Sequence, residues 1–296
     1  MHLRDIFEQH WPSVSFEYFP PKSDEAADTL YNNVRELERL RPSFVTVTFG
    51  AGGSTRHLTE QVVFRLNRES AITTIPHLTC VNASREDIHT ILENYQQRGI
   101  RNVVALRGDP PPGMTRYEPP PDGFRFATEL VSFVREHFPR LGIAVAGYPE
   151  GHPETPDRLQ ELRHLKEKVD AGADCIITQL FFDNRDYWDF VQRCELEGIR
   201  VPVIAGIMPV QSLSGLKRMT SLCGARIPAS MLRLLSRVQD DPEGVRRAGI
   251  HWATEQCRDL FDQNVRGIHL YTLNTSDATR RIYENLGIRH SGALRL

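Results

Sequence analysis

The sequence predicts a (β/α)₈ TIM barrel forming one domain over residues 1–296, with extra helices between strands seven and eight. Three observations predict it. Short apolar runs of strand type alternate with helically spaced segments along the chain. The strand centres recur about every 30 residues, as a series of βα units requires. No linker or shift of composition divides the chain. An open doubly wound sheet is the competing arrangement, because periodicity alone does not say whether strand eight closes on strand one.

Each element follows from local chemistry. Ser13–Phe19 reads as the first strand, stopped by Pro20-Pro21, and Ser23 caps a helix whose Ala26, Leu30, Val34 and Leu37 keep helical spacing. Phe44–Phe49 is the second strand, and a helix from about Ser54 to Glu69 follows the turn Gly50–Thr55. Ile72–Cys80 is the third strand, and Ser84 opens a helix that ends at Gly99, a good left-handed stop. Asn102–Leu106 carries Val103-Val104-Ala105-Leu106 and reads as a fourth strand buried on both faces. It breaks off at Arg107-Gly108-Asp109 because the proline run that follows cannot donate to a ladder. Pro110–Gly123 holds six prolines and reads as a lid or a mobile segment. Helix Phe124–His137, strand Gly142–Tyr148, loop Pro149–Glu154 and helix Thr155–Ala171 come next. Strand Asp174–Phe181, helix Asn184–Glu197 and strand Val201–Ile207 continue the alternation. Gln211–Asn264 is helical throughout, with pieces near Ala229–Val238 and Glu243–Asn264. Gly267–Thr272 is strand eight and Ser276–Leu286 the closing helix.

Composition narrows the function classes. Apolar content of 40% and charged content of 25% are those of a soluble globular chain. A net charge of -2 gives no field that would draw the protein to nucleic acid or a membrane, and no apolar run reaches spanning length. Five well-separated cysteines without a C-x-x-C point to reduced thiols, and the N-terminus lacks an apolar signal core, so a cytoplasmic protein is expected.

In such barrels chemistry sits at the C-terminal strand ends. Here those ends carry Glu17, Thr48, His77, Arg107, Asp109, Tyr148, Gln179 and Thr272. Taken singly each has a structural reading: Glu17 as a satisfied carboxylate, His77 as a core histidine bonded to backbone. Together, two carboxylates and an arginine at buried strand ends need mutual pairing or a ligand. Gly50-Ala51-Gly52-Gly53-Ser54-Thr55 fits a tight βα turn better than a phosphate cradle, since Thr55 stands where a dinucleotide fingerprint has its third glycine. No nucleoside-triphosphate P-loop occurs, and His152 between Glu150 and Glu154 lacks the spacing of a metal site, so no metal is expected. A proton-donating carboxylic acid, an acceptor carboxylate and an amide in a broad bowl suit a bound organic cofactor and redox chemistry. A Glu near a second carboxylate and partly desolvated suits a general acid at neutral pH.

At these strand ends the chain resembles the methylenetetrahydrofolate reductases. The matching segments are Phe16–Pro21, Val47–Ser54, Pro76–Cys80, Ala105–Pro110, Tyr148–Glu150 with His152–Glu154, Lys168–Ala173, Thr178–Asp183, Gly206–Pro209 and Tyr271–Asn274, in family order over nearly the whole chain. The resemblance implies a FAD-binding barrel that takes hydride from NADH or NADPH and reduces 5,10-methylenetetrahydrofolate to 5-methyltetrahydrofolate by ping-pong transfer. It implies Glu17 as general acid and Asp109 as the residue that tunes the flavin and bonds folate. It implies Thr48, His77, Arg107, Tyr148, His152, Lys168 and Ile177 around FAD, with Arg107 and Lys168 on the pyrophosphate. Gln179 would be a second folate contact.

The chain departs from the family pattern around the helix before Lys168, where Glu161, His164 and Glu167 take the places of an acid, an Asn and an Arg. Glu161 and His164 are kept as expected FAD contacts. Thr275 follows Tyr271-Thr272-Leu273-Asn274 where a basic residue is usual, and Met219 stands for a substrate-stacking aromatic. Met219 and Leu273 are expected to touch substrate. The chain ends with the barrel, so the regulatory domain of larger members is not expected, and a homo-oligomer is. Two other readings stand beside the reductase: another FAD barrel of the proline dehydrogenase type, and a flavin subunit fed electrons by a partner protein.

Overall fold

The computed structural model describes residues 1–49, 56–110, 113–114, 117–155 and 157–295. The predicted turn Gly50–Thr55 lies outside them, as do Pro111, Pro112, Thr115 and Arg116 of the proline loop. The elements run α1 (Leu3–Gln9), β1 (Ser13–Tyr18), α2 (Asp24–Glu38), β2 (Phe44–Val47), α3 (Arg56–Glu69), β3 (Thr74–Thr79), α4 (Arg85–Gln97) and β4 (Asn102–Leu106). They continue with α5 (Ala127–His137), β5 (Gly142–Gly147), α6 (Arg158–Asp170), β6 (Cys175–Thr178), α7 (Asn184–Leu196) and β7 (Val203–Ile207). The chain finishes with α8 (Leu213–Cys223), α9 (Ala229–Ser236), α10 (Pro242–Asp262), β8 (Gly267–Tyr271) and α11 (Asp277–Asn285).

The eight strands form a closed parallel barrel in sequence order. Closure comes from β8 lying against β1, with Ser13 opposite Gly267 and Glu17 opposite Tyr271. Three helices, α8, α9 and α10, stand between strands seven and eight, where a βα unit needs one. Strand alternation sorts the side chains. Val14, Phe16 and Tyr18, like Val103, Ala105, Ile268 and Leu270, join the helix-facing core. Phe44, Ile75, Val104, Ala144, Cys175, Ile177 and Ile204 fill the barrel interior.

One helix is new. At seven residues, α1 is too short for hydrophobic periodicity to announce it in the sequence. Its Leu3, Ile6 and Phe7, at i, i+3 and i+4, pack into the interior cluster and close the N-terminal end of the barrel. The Leu3 N–H donates to Asn102 Oδ1 at 2.8 Å, the Asn102 amide donates to the Met1 carbonyl at 2.8 Å, and Arg4 pairs with Asp174 at 2.6 Å. With that end sealed, access to the interior is from the C-terminal strand ends.

Several boundaries differ from expectation. α2 and α4 are capped as predicted, by Ser23 and by a reciprocal Ser84–Asp87 box. The expected start of α5 at Phe124 moves to Ala127, because Phe124 is fully buried and the Arg125 N–H bonds Glu129. α6 starts at Arg158 and not at Thr155, because Asp157 caps the Leu159 and Gln160 amides. The sixth and seventh strands are shorter than predicted, and Pro202, whose carbonyl accepts from Ile176, has no N–H to extend the latter. The described end of the proline loop is tied down: Tyr117 Oη lies 3.0 and 2.8 Å from the Cys80 and Phe124 carbonyls, and Gly123 bridges to Ser84. Among the described residues, no helix is long and apolar enough to cross a membrane.

Candidate active site

Glu17 ends an inward-facing series on β1 that begins with Ser13 and Ser15. It is 7% exposed. Two imidazoles converge on one of its oxygens. His77 Nε2 from β3 and His269 Nε2 from β8 each stand 3.5 Å from Glu17 Oε2. Desolvation pulls His77 down to about 4, against the opposing pull of Glu17, so His77 is neutral at pH 7. His269 is fully buried, with Nδ1 2.8 Å from Ser15 Oγ and Nε2 3.4 Å from Thr46 Oγ1. Its ring stacks on Phe44 and meets Tyr271 edge-on. The sequence suggested a second carboxylate beside Glu17; among the described residues the side chains that approach its carboxylate are imidazoles.

The backbone under Glu17 is held from the barrel seam. Thr272 Oγ1 donates to the Glu17 carbonyl at 2.6 Å. The Asn274 side chain accepts from the Phe19 N–H at 2.8 Å and donates to the Phe19 carbonyl at 2.9 Å, as a further strand residue would. Leu273 and Asn274 adopt left-handed φ of 51° and 59° to make that turn, an uncommon conformation for residues with a side chain. Tyr271 reaches across to donate to the Thr178 carbonyl at 2.8 Å. Only glycine fits beneath it, since a Cβ at Gly206 would stand 2.3 Å from the Thr178 carbonyl oxygen and 2.9 Å from the phenol.

A second, more polar group lies at the mouth around β4, β5 and α6. Gly108 has φ +88°, and a Cβ there would come within 2.6 Å of Val81, so the turn Arg107-Gly108-Asp109 needs glycine at its centre. Arg107 makes a bidentate pair with Glu154, at 2.6 and 2.8 Å. His152 Nδ1 accepts from the Glu154 N–H at 3.1 Å, and its ring sits edge-on to Tyr148 at 4.6 Å. Lys168 Nζ donates to the Ala146 carbonyl at 2.7 Å, and desolvation pulls its ammonium down to about 8. Glu161, on the same face of α6, is pushed up by burial, and its Oε2 has no hydrogen-bond partner among the described residues. Burial raises the Tyr148 phenol, and the charges of Asp109 and Glu161 add to the effect.

The predicted residues therefore divide. Glu17 and His77 share the inner pit; Thr48 is buried at the end of β2. Arg107, Tyr148, His152, Glu161 and Lys168 share the charged rim, and Asp109 is exposed beside them. Gln179 is half-buried, and its Oε1 already accepts from the Leu180 N–H at 2.8 Å, leaving its NH₂ as the group to meet a ligand. Met219 and Leu273 pack with Tyr271 against one apolar cluster. Ile177 lies in the barrel interior and His164 is exposed on α6, so neither joins the rim. Sequence reasoning missed His269, Ser15, Glu154 and Asn274. For His269 the signal was present: in Gly267–Tyr271 it is the one imidazole at an inward position, two residues before Tyr271.

Among the described residues no group of three or more His, Cys, Asp or Glu is placed to hold a metal ion.

Comparison with known proteins shows the family. A family model described as methylenetetrahydrofolate reductase matches residues 2–287. An Arabidopsis thaliana protein named methylenetetrahydrofolate reductase (NADH) 1 is 40% identical, over 97% of this chain and 50% of its own length. The 5,10-methylenetetrahydrofolate reductase of Escherichia coli (strain K12) is 38% identical, over 94% of this chain and 91% of its own length. The chain thus spans about half the length of the plant relative and most of the bacterial one. Among solved structures, a Clostridium thermocellum protein described as binding two copies of 5-methyl-5,6,7,8-tetrahydrofolic acid shares the fold, with TM-score 0.67, 12% identity, and coverage of 97% and 99% of the two chains.

Proposed function

Since this chain belongs to the methylenetetrahydrofolate reductase family, we propose that its barrel mouth reduces 5,10-methylenetetrahydrofolate to 5-methyltetrahydrofolate, with electrons from a reduced nicotinamide passed through FAD. The observation that carries the reading is the Glu17 carboxylate, buried in the pit with two imidazoles 3.5 Å from one of its oxygens. The names of the plant relatives specify NADH, which makes NADH the donor to try first.

The rim fits a dinucleotide. Arg107 and Lys168 supply two cations for a diphosphate, and an anion beside Lys168 would restore the ammonium that desolvation disfavours. Glu161 Oε2, without a hydrogen-bond partner among the described residues, is a ready acceptor for a ribose hydroxyl. Thr48, His77, Tyr148 and His152 would line the same groove. When bound, FAD supplies hydride acceptance from the nicotinamide and hydride donation to the folate.

The protein's own residues handle protons and position. Glu17 gives a proton to a nitrogen of the imidazolidine ring as that ring opens, generating the reactive iminium. Asp109, exposed at the mouth, accepts from the polar edge of the pterin, and the Gln179 NH₂ donates to it. Tyr271, Leu273 and Met219 offer the apolar wall against which the folate lies. One mouth serves nicotinamide and folate in turn, so ping-pong kinetics follow.

The test is Glu17→Gln. The variant should still be reduced by NADH while its production of 5-methyltetrahydrofolate falls about a hundredfold or more, the usual worth of a general acid. A variant that turned over folate at the parent rate would end the assignment.

A further inference from the structure

We propose that Glu150 and Arg226 form a strut across the mouth that sets the spacing between its dinucleotide side and its folate side, which makes both of them positioning residues. The inference rests on the reading that the β5–α6 loop lines the FAD groove and that the wall of Met219, Tyr271 and Leu273 receives the folate. It starts from the place of Glu150. The loop after β5 carries Tyr148, His152 and Glu154, and Glu150 stands in the middle of it with its side chain 9% exposed. Two donors reach one of its oxygens from the connector between α8 and α9. The Arg226 N–H bonds Glu150 Oε2 at 3.0 Å, and Arg226 Nε bonds the same oxygen at 2.8 Å. Glu150 Oε1 is buried and has no hydrogen-bond partner among the described residues. Among those residues, Arg226 is therefore the source of every hydrogen bond to this carboxylate.

The connector belongs to the folate side. Cys223 and Ala225, at its start, are part of the apolar cluster against which Met219, Tyr271 and Leu273 pack. Burial raises the Cys223 thiol, and the Glu150 charge adds to the rise, so the carboxylate is felt on that wall. Connector and loop also meet without charge. A Cβ at Gly224 would stand 3.3 Å from Pro153 Cγ, in the loop beside His152. From α7, Asp186 accepts from the end of the Arg226 guanidinium, and Arg193 donates to the Pro149 carbonyl at 3.0 Å. Loop and connector are thus tied to each other and to α7. The spacing matters because reacting atoms must be held about 3–3.5 Å apart for the chemistry to proceed. Without the Arg226 side chain, the Glu150 charge would keep only a backbone donor. Such a poorly paired buried carboxylate turns out toward water and takes its loop with it.

Two readouts on the full-length protein test this: the Kd of FAD, and the rate constant at which saturating 5,10-methylenetetrahydrofolate reoxidises the reduced flavin with FAD saturating. Glu150→Ala removes the acceptor for both Arg226 donors. It should raise the Kd about tenfold and lower the rate constant about tenfold, the scale of one charge-assisted hydrogen bond. A residue that only props its own loop would change the Kd and leave the rate at saturating FAD intact. Glu150→Gln keeps an acceptor oxygen for both N–H groups and should recover most of both losses. Arg226→Gln strands the Glu150 charge and should resemble Glu150→Ala. The double variant Glu150→Gln/Arg226→Gln removes that charge and should lie closer to the parent than Arg226→Gln does. If Glu150→Ala does not fold, Arg226→Gln and the double variant still decide, since independent roles predict that their losses add. Parent-like values in both Glu150→Ala and Arg226→Gln, a loss confined to FAD binding, or a double variant worse than Arg226→Gln would overturn the proposal. A parent protein that binds no FAD, or whose reduced flavin the folate leaves bleached, sinks the underlying reading. A competent parent with indifferent variants sinks this inference alone.

Discussion

Glu154→Gln is expected to tighten the binding of FAD. In the structure Arg107, the rim cation best placed for a diphosphate, is already engaged by both oxygens of Glu154, at 2.6 and 2.8 Å. If the diphosphate of FAD is to pair with this guanidinium, as proposed, Glu154 must first yield it. Bare Coulomb attraction between charge centres about 4 Å apart is about 1 kcal/mol in water and about 4 kcal/mol at an effective dielectric of 20. The Glu154 side chain is 54% exposed, which puts the pair near the weaker limit. Taking about 1 kcal/mol, removal of the competing charge should tighten FAD about fivefold. The assay is quenching of FAD fluorescence on titration into the apoprotein at low and high salt, in the parent, in Glu154→Gln, in Arg107→Ala and in the double variant. The gain should be largest at low salt, shrink as screening grows, and vanish in the Arg107→Ala background. Weaker FAD binding in Glu154→Gln, or a gain that persists without Arg107, would refute the competition.

Other outcomes follow from the same geometry. His77→Gln should remove a component of acid sensitivity. His77 sits at about 4 in the folded protein against 6.5 unfolded, so the unfolded chain binds its proton first as pH drops. Stability contributed by this residue is therefore complete above pH 6.5 and lost as pH falls from 6.5 through about 4. It amounts to about 3 kcal/mol at 1.36 kcal/mol per pH unit. Urea unfolding of parent and variant between pH 4 and 7.5 should show curves that converge at low pH; parallel curves would contradict it. Asn274→Ala removes two hydrogen bonds to Phe19 at a left-handed position and should cost about 2–3 kcal/mol in the same assay. Asp109→Asn should slow folate reduction while FAD stays bound, whereas Arg107→Ala should lose FAD first, measured as flavin content after gel filtration. Equal loss of FAD in both would erase that division of roles.

Much of the fold was legible because barrel strands are buried on both faces and advertise themselves as continuous apolar runs. Val103-Val104-Ala105-Leu106 announced β4, and its stop at Arg107-Gly108-Asp109 was right to the residue. What escaped was set by tertiary context. α1 is one short amphipathic turn pair whose meaning exists only as a plug against Asn102 and the interior cluster. Phe124 and Thr155 sit in helix-compatible sequence, yet burial of the one and the Asp157 cap after the other shifted both helix starts. In the site, Glu17, His77 and Arg107 were visible because charge at a buried strand end is anomalous. His269 was not, because it lies inside a strand among apolar neighbours and its partner Ser15 is 254 residues away. Glu154 was seen as part of a polar loop, but nothing local says that it clamps Arg107 across 47 residues.

The most direct measurement is anaerobic stopped-flow of the FAD-loaded protein, mixed first with NADH or NADPH and then with 5,10-methylenetetrahydrofolate. The account predicts bleaching of the flavin absorbance by the nicotinamide and its return on addition of folate, with one 5-methyltetrahydrofolate formed per flavin reoxidised. A protein that holds no FAD even when it is supplied, or a reduced flavin that the folate leaves bleached, would contradict it.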